Sequence, residues 1–193
     1  MLLLIKALNV LLINMWLKTL DLHQLYVNYC KSNVGVSDDT VIRKWINRVR
    51  MDGLALEFAP MQTEEMCLAA INNIIYAFKH VRNKTDNICK LAVSVDGNML
   101  EHIEHPSSEL CTIGVMQNGW ALRFVMWQTE SLVMYAIINK PGAFQHSTIH
   151  SPTLDRLAVG LDGNNLEYIL DQTPELISIA LENQPNAKKY IRE

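Results

Sequence analysis

The chain has 193 residues, 49% apolar and 19% charged, so it can bury a sizeable core and lacks the composition of a disordered segment. Its formal net charge of −3 is uneven: residues 1–51 hold seven Lys/Arg against three acids, and residues 52–193 hold ten against seventeen. Electrostatic attraction to nucleic acid is therefore confined to the N-terminal part.

Residues 1–17, MLLLIKALNVLLINMWL, are strongly apolar. A signal peptide wants basic residues before the apolar run and a small-residue cleavage site, and neither stands here. The run is short for a membrane span and is interrupted by Lys6, Asn9 and Asn14. It reads as a buried capping helix, with a membrane anchor or a signal as alternatives. Two further helices come next, over 21–30 and 38–51, the second capped by Ser37. Its apolar face is Ile42, Trp45, Ile46 and Val49, and its other side carries Arg43, Lys44, Asn47 and Arg50. With the turn over 31–36 this is the layout of a helix-turn-helix DNA reader, although the turn is longer than usual. The competing reading is that these helices cover the open end of a repeat array that starts at Asp52.

From Asp52 onward one 22-residue pattern recurs without gap or insertion. Units begin at Asp52-Gly53, Ile74-Ile75, Asp96-Gly97, Asn118-Gly119, Lys140-Pro141, Asp162-Gly163 and Gln184-Pro185. That makes six full units over 52–183 and a half unit over 184–193. Every full unit has a hydroxyl in its twelfth place, Thr63, Thr85, Ser107, Thr129, Ser151 or Thr173. A hydroxyl there accepts from the orphan N–H groups of a helix start. Pro152 and Pro174 follow directly, and acids cluster beside them, as a helix N-terminus favours. The helix so begun runs about ten residues and carries three inward columns. They are Met66/Ile88/Leu110/Leu132/Leu154/Leu176, the small column Ala70/Ala92/Gly114/Ala136/Ala158/Ala180, and Ile71/Val93/Val115/Ile137/Val159/Leu181. The small column predicts close approach by another helix. A shorter helix precedes, capped by Asp52, Asp96, Asn118 and Asp162. Its glycine column tolerates Pro141 and Pro185, so it is not left-handed. Its core columns are Leu56 to Leu166 and Ala59 to Ile191. Lys188 breaks the first of these, as a polar terminal cap requires.

The expectation is an all-α fold: an α-solenoid of 22-residue helix–turn–helix repeats with a helical N-terminal cap. A leucine-rich repeat has a period in the same range, but the caps, the prolines and the missing strand core argue against it. The run Gln62-Thr63-Glu64-Glu65-Met66-Cys67-Leu68-Ala69-Ala70-Ile71, with Asp52-Gly53-Leu54-Ala55-Leu56-Glu57-Phe58, resembles a family of short helical repeats of unknown function. That family occurs in amoeba-infecting giant viruses and in some bacteria and phages, and Gln172-Thr173-Pro174-Glu175-Leu176 is similar to its Q-T-P-E-L/I segment. The resemblance spans about 52–193 and departs at Ile74-Ile75 and Lys140-Pro141. It implies the fold and an interaction role, and it brings no catalytic residues.

Chemistry-bearing residues fit structural roles. Cys67, Cys89 and Cys111 share one column, farther apart than a disulfide reaches, and suggest a reducing cytoplasm, the host's if the protein is viral. His80, His102 and His146 share a column with Phe58, Phe124, Tyr168 and Tyr190, so they read as partly buried rings rather than metal ligands. No cofactor loop, metal-ligand spacing or nucleophile elbow is present, and the chain is not expected to be an enzyme. The expected partner is another protein, with nucleic acid possible through the cap and no membrane. The turn between the two helices is polar in several units, yet reads Met126-Trp127 in the fourth. Candidate partner-binding residues are Trp120, Met126, Trp127, Met61 and Ile149; the alternative is an indole folded back over the next unit.

Overall fold

The computed structural model describes residues 38–192, together with Gln24. Apart from Gln24, the expected helices over 1–17 and 21–30, the turn over 31–36 and the cap Ser37 lie outside the described residues, and with them any helix-turn-helix arrangement. Among the described residues every regular element is helical, and no strand occurs.

Helix α1 is Asp38–Met51. Ten-residue α-helices come after it: α2 Glu64–Asn73, α3 Asp86–Val95, α4 Ser108–Gln117, α5 Glu130–Asn139, α6 Pro152–Leu161 and α7 Pro174–Asn183. Six-residue 3-10 helices alternate with them: η1 Gly53–Phe58, η2 Ile75–His80, η3 Gly97–His102, η4 Gly119–Phe124, η5 Pro141–His146, η6 Gly163–Tyr168 and η7 Pro185–Tyr190. Each class starts anew every 22 residues. The short helix expected in each unit is thus a 3-10 helix, two turns long. The chain forms two compact units, Met1–Ile88 and Cys89–Glu193, divided within α3.

In the first unit α1 packs on α2 and η1. Its buried face is Val41, Trp45, Ile46 and Val49. Ile42, expected in that face, is only half-buried and Val41 takes its place. In the second unit each 3-10 helix from η4 to η6 contacts the 3-10 helix before it and the α-helices on either side. The first inward α-helical column and the small column are buried throughout; the third is buried except at Leu181, which is half-exposed. A further buried column, which the sequence reading passed over, runs through the 3-10 helices as Ala55, Ala77, Met99, Ala121, Ala143, Asn165 and Ala187.

The six twelfth-place hydroxyls all cap their helices, each accepting from the backbone N–H three residues on at 3.2–3.5 Å. Two also donate to the first glutamate of the preceding α-helix, Thr85 to Glu64 at 3.0 Å and Ser151 to Glu130 at 2.6 Å. Between one α-helix and the next 3-10 helix stands a single extended residue that belongs to both. Asn118 (φ −148°, ψ 111°) donates its N–H to Gly114 to end α4 and accepts from Trp120 N–H to begin η4. Asp96 and Asp162 do the same work with Asn98 and Asn164. Asp52 departs from the expected pattern: it makes no side-chain cap, and its carboxylate pairs with Arg48 at 3.2 Å.

So abrupt a reversal forces the backbone together. A Cβ on Gly53, Gly97, Gly119 or Gly163 would lie 2.2–2.5 Å from the carbonyl oxygen of Ala70, Gly114, Ala136 or Ala180. The small column is therefore approached by the 3-10 start of its own repeat, and at Gly114 also by Val93 of α3 and Leu100 of η3. The glycines serve this contact, and none has positive φ.

Side-chain amides satisfy the backbone that the short turns leave open. Asn73, Gln117, Asn139 and Asn183 each accept from the N–H of that glycine, at 2.7–3.1 Å. Each also donates to a carbonyl on the preceding α-helix, Arg50, Val95, Met116 or Gly160. Where the glycine is replaced by Ile75 or Pro141, the amide is replaced by Val95 or Leu161. A second clamp reaches forward. Gln128 donates to the carbonyls of Leu122, Val125 and His146 and accepts from Thr148 N–H. Gln62 and Gln172 repeat this on His80/Arg82 and Tyr190/Arg192.

Two glycines in the second unit give opposite expectations. Gly119→Ala should lower stability by about 1–3 kcal/mol through overpacking. Gly160→Ala, where a Cβ meets nothing within 4 Å, should raise it by roughly 0.5–1 kcal/mol through helix propensity. Chemical denaturation of both variants checks this. Gln128→Ala should cost about 1–3 kcal/mol by stranding partly buried backbone groups, read as an earlier urea midpoint.

Candidate interaction surface

The turn from η4 to α5 is fixed at both ends. Val125 closes η4 and is buried, and Thr129 caps α5. Just before the cap, Gln128 is drawn inward by its four backbone partners. The two residues between these anchors have nowhere to go but out. Met126 is 77% and Trp127 84% exposed, so the indole does not fold back over the next repeat. The same turn geometry leaves Leu170 exposed ahead of Gln172, a residue the sequence reading did not single out.

Beside Trp127 lies a groove of about 310 Å³ between α4 and α5, with His105, Cys111, Thr112 and Tyr135 among its walls. The outward faces of these helices continue it: Met116 is one turn beyond Thr112, and Ile138 one turn beyond Tyr135. Both are exposed, as is Tyr135. The sequence held a signal for them, since α4 and α5 carry no charge beyond Glu109 and Glu130 in their first turns.

The other expected partner-binding residues do not join this surface. Trp120 is half-buried; its indole covers Gly142 and meets His146 edge-on at 5.9 Å between ring centres. Burial and the nearby Arg123 hold the His146 imidazole below its ordinary pKa. Met61 is half-buried and belongs to the first unit. Ile149 is half-buried, with its carbonyl and N–H both bonded to the Ser147 hydroxyl.

On α1, Arg43, Lys44, Asn47 and Arg50 are all exposed. Arg50 is paired with Glu65 at 3.4 Å, and Asp39 and Glu65 border the same shallow hollow as Arg43. The pair is open to water and so is weak, but two carboxylates beside the basic face reduce its attraction for phosphate.

Cys67, Cys89 and Cys111 are buried and none is in a disulfide. Burial pushes the Cys67 thiol up to about 11, with Glu64 adding to the shift, and burial also raises Cys111. Such thiols stay protonated and make poor nucleophiles. An open hollow of about 920 Å³ beside α6 and α7 is bordered by His150, Asp155, Arg156 and Glu175. These close on one another, His150 with Asp155 at 3.0 Å and Arg156 with Glu175. Among the described residues no cluster of three or more His, Cys, Asp or Glu is placed to hold a metal ion. No helix of the described residues is long and apolar enough to cross a membrane. No protein-family model matches the chain, and comparison with curated proteins and with solved structures gives no match.

Proposed function

We propose that residues 52–193 form an α-solenoid of six full 22-residue helix–turn–helix repeats and a C-terminal half repeat, with 1–51 as a helical N-terminal cap. Support comes from the 22-residue spacing of both helix classes and from the recurrence of the same caps, glycine contacts and amide clamps. The resemblance to the short repeats of giant viruses, bacteria and phages points the same way. The function is that of a non-enzymatic protein–protein interaction module in a reducing cytoplasm, the host's if the protein is viral. The observation that carries this reading is Trp127, held out into solvent next to Met126 and a groove with a single carboxylate, Glu104, on its wall. A large exposed aromatic within an apolar patch is what binding hot spots are made of. Trp127→Ala should abolish partner capture and leave the melting temperature unchanged. Retained capture with a lowered melting temperature would assign the indole to the packing of the array instead.

A second reading, a DNA-binding regulator with the repeats as a dimerisation or recruitment surface, is favoured by the exposure of Arg43, Lys44 and Asn47 on α1. Its binding would weaken steeply with salt, and the double substitution Arg43→Ala, Lys44→Ala would reduce it. A gel-shift titration at low salt that moves no duplex leaves the helix with its packing role alone.

A further inference from the structure

We infer that the surface formed by Trp127 and the outer faces of α4 and α5 pairs with the same surface of a second copy of this chain. The inference rests on the interaction reading above and names the partner. Its first support is area. Trp127 and Met126 are 84% and 77% exposed, and Met116, Tyr135 and Ile138 are 58%, 50% and 58% exposed. Together they present roughly 700 Å², since a large side chain offers about 150–250 Å². Soluble monomers leave apolar patches of only about 300–600 Å². A standard interface takes about 800 Å² from each partner, so this face supplies most of one side.

Charge is the second support. Each of α4 and α5 carries one charged residue, whereas α6 and α7 carry two each. Those single charges, Glu109 and Glu130, stand in the first turns and are already engaged, with Lys90 at 3.0 Å and with the Ser151 hydroxyl at 2.6 Å. Glu104, exposed on the groove wall beside His105, adds one more carboxylate, so few like charges oppose the approach of an identical face.

Shape is the third. The projecting indole and the groove stand side by side on one patch. A two-fold operation places each knob against the other copy's groove, and such an isologous contact closes as a dimer without leading to a filament.

Sedimentation equilibrium over a dilution series of the full chain tests the pairing. The wild type should approach twice its 22.0 kDa at high concentration and dissociate on dilution. Trp127→Glu and Ile138→Lys, on different elements, should each remain at the monomer mass, with unchanged circular dichroism and melting. Leu170→Glu, an exposed residue in the matching turn 44 residues on, should pair like the wild type. A wild type that stays monomeric throughout overturns the inference, as does a folded Trp127→Glu that still dimerises. A monomeric wild type whose capture of a foreign protein is lost in Trp127→Glu would overturn the pairing while keeping the interaction reading. A monomeric wild type whose capture is indifferent to Trp127 would remove both.

Discussion

Everything in the repeated part depends on changing direction within one residue. A ten-residue α-helix ends and a 3-10 helix begins at the same extended position, as at Asn118. Such a junction leaves carbonyls and N–H groups without helical partners, and burying them unpaired would cost more than the short helices could return. The chain answers with side-chain amides. Asn139 reads the Gly119 N–H and a carbonyl one helix back, and Gln128 reads the backbone at the ends of two successive 3-10 helices. Each amide matches a donor and an acceptor at once, which carboxylates and hydroxyls cannot do with the same reach.

That constraint also explains where the surface lies. With Gln128 committed inward and Val125 buried, the turn has two side chains left, and here both are exposed, whereas Met61 in the matching place ahead of Gln62 is half-buried. In other units the pair is Arg82-Asn83 or Glu104-His105, at ease in water. In the fourth it is Met126-Trp127, and next to it the helices lose their charge. Two apolar features meet at one place on the surface of these repeated helices.

Much of the fold was legible because repetition averages out local ambiguity. A hydroxyl at one position suggests little; six at one spacing define a cap, and all six bond as expected. The lengths of the longer helices and the non-left-handed glycines followed in the same way. The clamps were harder to see. Gln recurs at only three of its positions, alternating with Lys84, Pro106 and His150, and a polar side chain before a cap looks like an ordinary solvated turn. The link between glycine and the amide twenty residues later was present in the letters, but its meaning needs the distance between them. The 3-10 character of the short helices was likewise beyond periodicity, since six residues hold too few turns to distinguish a repeat of three from one of 3.6. Trp120 misled because an aromatic beside a helix start has the same appearance whether it faces water or covers Gly142.

The two clamps differ in whom they bind, and this bears on how such a chain can grow. Gly53 and Asn73 belong to the same 22-residue segment, as do Gly97 and Gln117, Gly119 and Asn139, and Gly163 and Asn183. Duplicating a segment in that frame copies lock and key together. The forward clamp of Gln128 contacts only main-chain atoms of its neighbour, so it accepts a successor of any sequence. Each segment thus carries the glycine contact within itself and reaches both neighbours through main-chain atoms alone, so neither clamp constrains the outward side chains.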